Sequence, residues 1–333
     1  MVVKKIMYVI FLMGLVNQTL LCMQKNSKIY VAGHNGLVGS AIVRNLVAAG
    51  YNNIIVRTSD ELDLRNQQAV QDFFESERPE YVFLAAAKVG GIHANNSYPA
   101  QFIYDNLAIQ TNVIHEAWRH NVKKLLFLGS SCIYPRDCPQ PIKEEYLLTA
   151  PLEKTNEAYA IAKIAGLKLC EYYNKQYGTN FIAVMPTNLY GPYDNFDLTT
   201  SHVLPALLYK ICKAQREGKA TFEVWGTGSA LREFLYVDDL ADAVIFLMNT
   251  YNDNKIVNIG TGCDISIKDV VMLIKKVVGY DGDIVWDSSK PDGTPRKQLD
   301  VDFLTSLGWK AHVSLEDGLQ RTLSWCYAHG IFD

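Results

Sequence analysis

Ile29-Tyr30-Val31-Ala32-Gly33-His34-Asn35-Gly36-Leu37-Val38-Gly39 decides the fold of this chain. The first four residues are continuously apolar and β-rich, as a strand buried on both faces should be. Glycines at Gly33, Gly36 and Gly39 follow at once, and a helical apolar pattern runs on from Leu37 to Ala49. In that order of strand, glycine turn and helix, the backbone can approach a pyrophosphate and offer it N–H groups at the positive end of the helix. Gly33, Gly36, Leu37 and Gly39 are therefore candidate dinucleotide-binding positions. A glycine triplet alone is often just a turn; the strand before it and a second strand, Ile54-Ile55-Val56, after the helix give it meaning.

Outward from this unit, short apolar runs recur at Tyr81–Leu84, Leu125–Leu128 and Phe181–Val184, separated by helical stretches such as Ala158–Tyr177. The alternation predicts an α/β fold with a doubly wound, Rossmann-like parallel sheet. After Pro186 the regularity loosens, with Gly, Pro and Asn gathered between 187 and 195. The expected organisation is an NADP-binding domain over 28–186, rejoined by about 234–262, and a smaller interleaved mixed α/β substrate domain from 187–233 and 263–333. Phe234–Met248 is expected to rejoin the main sheet. Ser266-Ile267-Lys268-Asp269 reads as a serine-capped helix start.

With 333 residues, 49% hydrophobic and 20% charged, the chain can bury more than one core and is not disordered. Lys and Arg number 32 against 35 Asp and Glu, a net charge of −3 that removes the basic field nucleic-acid binding needs. The seven cysteines are scattered, without a Cys-x-x-Cys pair or a His cluster at ligand spacing, so no metal site is expected and the thiols read as reduced. One stretch argues against a reducing compartment: Lys4-Lys5 and the apolar run Ile6–Val16 look like a secretory signal, while Met23 offers an alternative start. The run is too short for stable membrane insertion. Residues 1–22 are left outside the fold, which is expected to begin near Lys28 with nothing earlier packed against it.

At the end of the second strand the chain offers Arg57-Thr58-Ser59 before any acid, where an NAD-specific site presents a carboxylate to the ribose. A guanidinium there can pair with a 2′-phosphate, which favours NADP(H). Asp63 and Leu64 can hold the adenine edge. Tyr159 and Lys163 are four residues apart on a predicted helix and so share a face. The ammonium is expected to lower the phenol's pKa and ready it for proton exchange with a carbonyl oxygen. Ser130, at the carboxyl end of the fourth strand, is placed to hydrogen-bond a substrate oxygen; Cys132, two residues on, would ordinarily be a packed thiol.

These strings, with Ala85-Ala86-Ala87-Lys88-Val89-Gly90-Gly91-Ile92, Met185-Pro186-Thr187-Asn188-Leu189-Tyr190-Gly191-Pro192 and Lys290-Pro291-Asp292-Gly293-Thr294-Pro295-Arg296-Lys297, resemble the GDP-L-fucose synthase family of extended short-chain dehydrogenases. The resemblance runs from about residue 28 to the last helix. It implies an enzyme that epimerises C3 and C5 of GDP-4-keto-6-deoxy-D-mannose and reduces C4 with NADPH. It implies Ser130, Cys132, Tyr159, Lys163 and His202 as the catalytic set, with Cys132 and His202 as the acid/base pair. Leu128, Gly129, Ser130, Ser131, Lys163, Pro186, Thr187, Asn188, Leu189 and His202 would line the cofactor pocket, and Lys210, Trp225, Arg232 and Asp292 the GDP-sugar pocket. A cytoplasmic homodimer is expected, paired through the helix bearing Tyr159 and the one from about 100 to 121. One departure stands out: family members often carry Arg after the His of Ala-Gly-His, and this chain has Asn35. The nearest rival is another nucleotide-sugar epimerase or reductase of the same superfamily. Its dehydratases place Thr-Asp-Glu where this chain has Ser130-Ser131-Cys132. A non-catalytic NADP-sensing protein is the rival from another class, and it would be expected to have lost Tyr159 or Lys163.

Overall fold

Along the first strand, Ile29 and Val31 join one buried cluster and Tyr30 and Ala32 another, because successive side chains point to opposite faces of a sheet that is covered on both. The computed structural model describes residues 22–290 and 292–332, so the signal-like run in residues 4–16 lies outside the described residues. Strands β1 (Ile29–Ala32), β2 (Ile54–Ile55), β3 (Tyr81–Leu84), β4 (Lys124–Leu128) and β5 (Phe181–Pro186) alternate with helices α1 (Leu37–Ala48), α2 (Gln67–Glu77), α3 (Ile92–Ser97), α4 (Pro99–Arg119) and α5 (Glu157–Tyr177). The second half adds β6 (Asn188–Tyr190), α6 (Val203–Arg216), β7 (Thr221–Trp225), β8 (Leu231–Arg232), β9 (Phe234–Tyr236), α7 (Val237–Thr250) and β10 (Val257–Ile259). After these come β11 (Ile265–Ser266), α8 (Ile267–Val278), β12 (Asp283–Asp287), β13 (Arg296–Lys297), α9 (Asp302–Ser306) and α10 (Leu315–Ala328).

The main sheet has six parallel strands in the order β10-β5-β4-β3-β1-β2. Helices α1 and α7 cover one face through Ile42, Leu46, Leu240 and Val244. The other face is covered by α2, α4 and α5 through Phe74, Ile114 and Leu167. A third cluster, from α6, α8 and α10, makes the smaller lobe, around a parallel β7–β12 pair and a small sheet ordered β11-β8-β13. The serine cap holds: Ser266 Oγ accepts the Asp269 N–H at 3.0 Å.

Three details differ from the sequence expectation. Residues 234–236 do not enter the main sheet; β9 pairs with β6 in a separate two-stranded ribbon, and it is α7 and β10 that return the chain to the large domain. The fold begins before Lys28: Met23 is 3% exposed in the α1/α7 cluster and its N–H donates to Asn249 Oδ1 at 3.0 Å. Its single thioether among polar neighbours gives no periodic signal. Finally, β4 begins with a buried lysine. Lys124 Nζ donates to the carbonyls of Leu247 and Met248, each at 2.9 Å, and to that of Tyr251, placing its charge at the carbonyl end of α7. Burial pulls its pKa down to about 7.

Candidate active site

In a parallel sheet ligands gather beyond the carboxyl ends of the strands, where the strand order reverses. Here that is between β1 and β3. Gly33 adopts φ +84°, a left-handed value open to glycine, and a Cβ on Gly39 would collide with the Gly33 carbonyl. The turn is thus tight enough for the start of α1 to face a ligand with bare N–H groups, and it fits a pyrophosphate.

At the end of β4, Ser130 starts a short 3-10 turn over Ser131–Ile133 and its Oγ accepts the Cys132 N–H at 3.3 Å. The turn presents Cys132 to the cleft while burying most of it. Lys163 comes up from α5 on the same side, 3% exposed, and donates to the Leu128 carbonyl at 2.7 Å. Its ammonium lies 4.8 Å from the Phe127 ring centre and 5.8 Å from that of Tyr159. Burial lowers Lys163 to about 8. Burial also pushes the Tyr159 phenol well above its ordinary value, with Cys132 adding to the rise and Ser130 offsetting part of it. The downward pull expected from Lys163 on this phenol meets the opposing effect of burial, which favours the neutral form of Tyr159.

His202 caps no backbone group of α6, although it occupies the N-cap position. The segment before it is locked from across the cleft, where the Gly91 N–H donates to the Thr200 carbonyl at 2.8 Å. A Cβ on Gly91 would come within 2.5 Å of the Ser201 carbonyl oxygen, so the close approach requires glycine. Burial and the Lys297 charge both hold the His202 pKa below its ordinary value. Burial raises the Cys132 thiol, and Lys297, Ser130 and Lys163 oppose that rise.

Lys297 is the residue that sequence reasoning passed over. It lies far along the chain, in a two-residue strand, and only the β13–β8 register brings it beside Arg232. Two cations as direct neighbours repel, and among the described residues neither forms an ion pair with a carboxylate. Burial pulls the pKa of each below its ordinary value. Such a pair suits a ligand that brings its own negative charge. Residues that follow each cation tie the two segments together: the Glu233 carboxylate, fully buried, accepts the N–H groups of Gly262 at 2.7 Å and Leu299 at 2.8 Å.

The other expected residues divide. Trp225 is 68% exposed, with Lys210 and Lys290 placed 6.0 and 5.4 Å from its ring centre. Asp292 reaches into the loop that follows β7, accepting from the Thr227 N–H and hydroxyl, each at 2.7 Å. Thr187 and Asn188, beyond Pro186 at the end of β5, both donate to the Glu233 carbonyl, with Leu189 next in β6. Leu128, Gly129 and Ser131 are buried around the turn that carries Ser130. Arg57 donates to Glu77 at 2.5 Å, and Asp63 is held by Arg65 at 2.9 Å. Leu64 is buried in the core on the α2 face. Ser130, Cys132, Tyr159, Lys163, His202, Arg232 and Lys297 thus gather about one cleft, while Arg57, Asp63 and Leu64 have partners of their own.

Comparison with known proteins gives the same frame. Residues 29–260 match the NAD dependent epimerase/dehydratase family. GDP-L-fucose synthase 1 of Arabidopsis thaliana is 60% identical over 301 residues, covering 90% of this chain and 93% of that protein. GDP-L-fucose synthase of Escherichia coli (strain K12) is 54% identical over 307 residues, covering 90% and 96%. The crystal structure of a GDP-L-fucose synthetase from Naegleria fowleri bound to NADP superposes with a TM-score of 0.87 at 30% identity, covering 93% of this chain and 97% of that one.

Proposed function

The chain belongs to the NAD dependent epimerase/dehydratase family, and from that premise we infer that it converts GDP-4-keto-6-deoxy-D-mannose to GDP-L-fucose with NADPH. The observation that carries the chemistry is the meeting of a neutral proton donor, Tyr159, with a thiol and an imidazole that share one cationic neighbour, Lys297.

C3 and C5 both flank the C4 ketone, so loss of either proton gives an enolate whose oxygen needs hydrogen-bond donors. Ser130 and Tyr159 supply them. Inversion requires a proton removed on one face and returned on the other, which a thiol and an imidazole can do near neutrality. Burial and Lys297 favour the neutral imidazole of His202, whereas at Cys132 Lys297 only opposes the rise that burial imposes on the thiol. Bound NADPH supplies hydride to C4, and Tyr159 then gives its proton to the C4 oxygen. Lys163, beside it, would stabilise by its charge the phenolate that this leaves, which regains its proton from solvent, and would reach the nicotinamide ribose. The Arg232–Lys297 pair takes the diphosphate, while Trp225 with Lys210 offers an apolar wall and a further cation. Asp292 acts through the loop it closes next to Trp225.

The enzyme is proposed to work as a homodimer through the outer faces of α4 and α5, where Tyr104, Ile161 and Tyr172 are exposed; a monomer mass by light scattering at micromolar concentration would refute this. Among the described residues no helix is long and apolar enough to cross a membrane. A cytoplasmic location is proposed from the supply of NADPH and GDP-sugars. The activity is tested by incubating the purified protein with NADPH and GDP-4-keto-6-deoxy-D-mannose and identifying the product by NMR. GDP-L-fucose is expected; a reduced sugar with both C3 and C5 uninverted would overturn the reading.

A further inference from the structure

Arg232 and Lys297 stand side by side on a very short ladder. The parallel β8–β13 pairing joins only Leu231 with Arg296 and Arg232 with Lys297, and two neighbouring cations repel. What holds the strands together past that point is a side chain. The Leu299 N–H donates to one oxygen of the Glu233 carboxylate at 2.8 Å. The other oxygen accepts the Gly262 N–H at 2.7 Å and the Thr261 hydroxyl at 3.4 Å. A Cβ on Gly260 would collide with that second oxygen, so the loop after β10 closes on the carboxylate only with glycine there.

The main chain of Glu233 works separately. Its carbonyl accepts Asn188 Nδ2 at 2.9 Å and the Thr187 hydroxyl at 3.3 Å, just beyond the end of β5. Burial pushes the Glu233 carboxyl up in pKa, and the N–H groups of Leu299 and Gly262 oppose that rise. A fully buried carboxylate is costly, and packing alone would be served as well by an apolar side chain. What this one adds is a fixed distance between two segments that each present a cation: it follows Arg232 directly, and the N–H it accepts lies two residues after Lys297.

We propose that Glu233 is a positioning residue for the GDP-sugar: by tying Leu299 and Gly262 to the residue after Arg232, it holds Lys297 beside Arg232 against their mutual repulsion and so assembles the diphosphate site before the ligand arrives. This rests on the diphosphate reading of the pair given above and names the group that builds it. The test is calorimetric titration of the purified full chain with GDP. Glu233→Gln sets an amide N–H against a backbone N–H and should weaken GDP by about fivefold or more. NADPH affinity should stay within about threefold, because the backbone carbonyl that meets Thr187 and Asn188 is kept. In a Lys297→Met background the same substitution should weaken GDP by less than about twofold, since the cation it positions is gone. The sign of a pH shift separates positioning from charge. With Lys297 displaced from His202, the acid limb of C3 and C5 proton exchange moves up, whereas loss of a carboxylate acting only by its charge would move it down. Should Glu233→Gln not fold, Glu233→Asp, one methylene short of spanning both N–H groups, takes its place with the same expectations; failure of both to fold makes Glu233 a stability residue and overturns the proposal. So does unchanged GDP affinity, a loss that persists in full in the Lys297→Met background, or an acid limb that stays or moves down. If the unmodified chain binds no GDP, the diphosphate reading itself falls and takes this proposal with it, a result distinct from the others.

Discussion

The two ends of the cleft treat positive charge in opposite ways. At the adenosine end Arg57, Arg65 and Lys88 are each matched to a carboxylate. At the sugar end Lys163, Arg232 and Lys297 are drawn out of water and, among the described residues, form no ion pair with a carboxylate. Leaving buried cations unpaired costs free energy in the free protein. Such an arrangement is retained where a ligand completes it, so the pairing of cations, more than their number, separates binding surface from scaffold.

The contrast can be broken most severely at its most buried point. Tyr159→Phe should cut NADPH oxidation by about 10²–10⁴-fold, since it removes the proton donor, while exchange of the C3 and C5 protons with deuterated solvent remains detectable by NMR. Cys132→Ser should do the reverse, lowering deuterium exchange by about 10²-fold or more with nucleotide binding intact, because a hydroxyl is a far poorer proton-transfer group than a thiol. Exchange at the unmodified rate would make Cys132 a packing residue.

Lys297→Met should raise KM for the GDP-sugar by about 10-fold or more. It also has a pH signature. Burial and Lys297 together lower the His202 pKa, and Lys297 opposes the rise that burial imposes on Cys132. Loss of the cation raises both values, so the acid limb of the exchange profile should move up, as should any limb belonging to the thiol. An unmoved acid limb would mean that His202 does not titrate in the reaction. The smallest effect is expected at the paired end. Arg65→Ala breaks exposed ion pairs with Asp63 and Asp105 and should change neither turnover nor melting temperature measurably.

The main sheet was legible because each strand and helix carries its own local pattern, and the glycine turn between Ala32 and Leu37 is a local feature too. Ser130 and Tyr159 followed from the same logic, as residues at a strand end and on a helix face. Lys297 was not legible, since its meaning depends on a register with Arg232 that joins segments 65 residues apart. At Arg57 the sequence shows the position at the end of β2 but not its pairing with Glu77, twenty residues on. Met23 was missed because one buried residue before a strand has no period to betray it.

Lys124 has a consequence for how the molecule assembles. Its ammonium, planted on a central strand, closes the end of α7 across 123 residues of chain. The strand cannot bury its charge until the later half of the chain arrives. The first five strands have no fully satisfied state to rest in without α7, so denaturant should unfold the large domain, early and late segments together, in one cooperative transition.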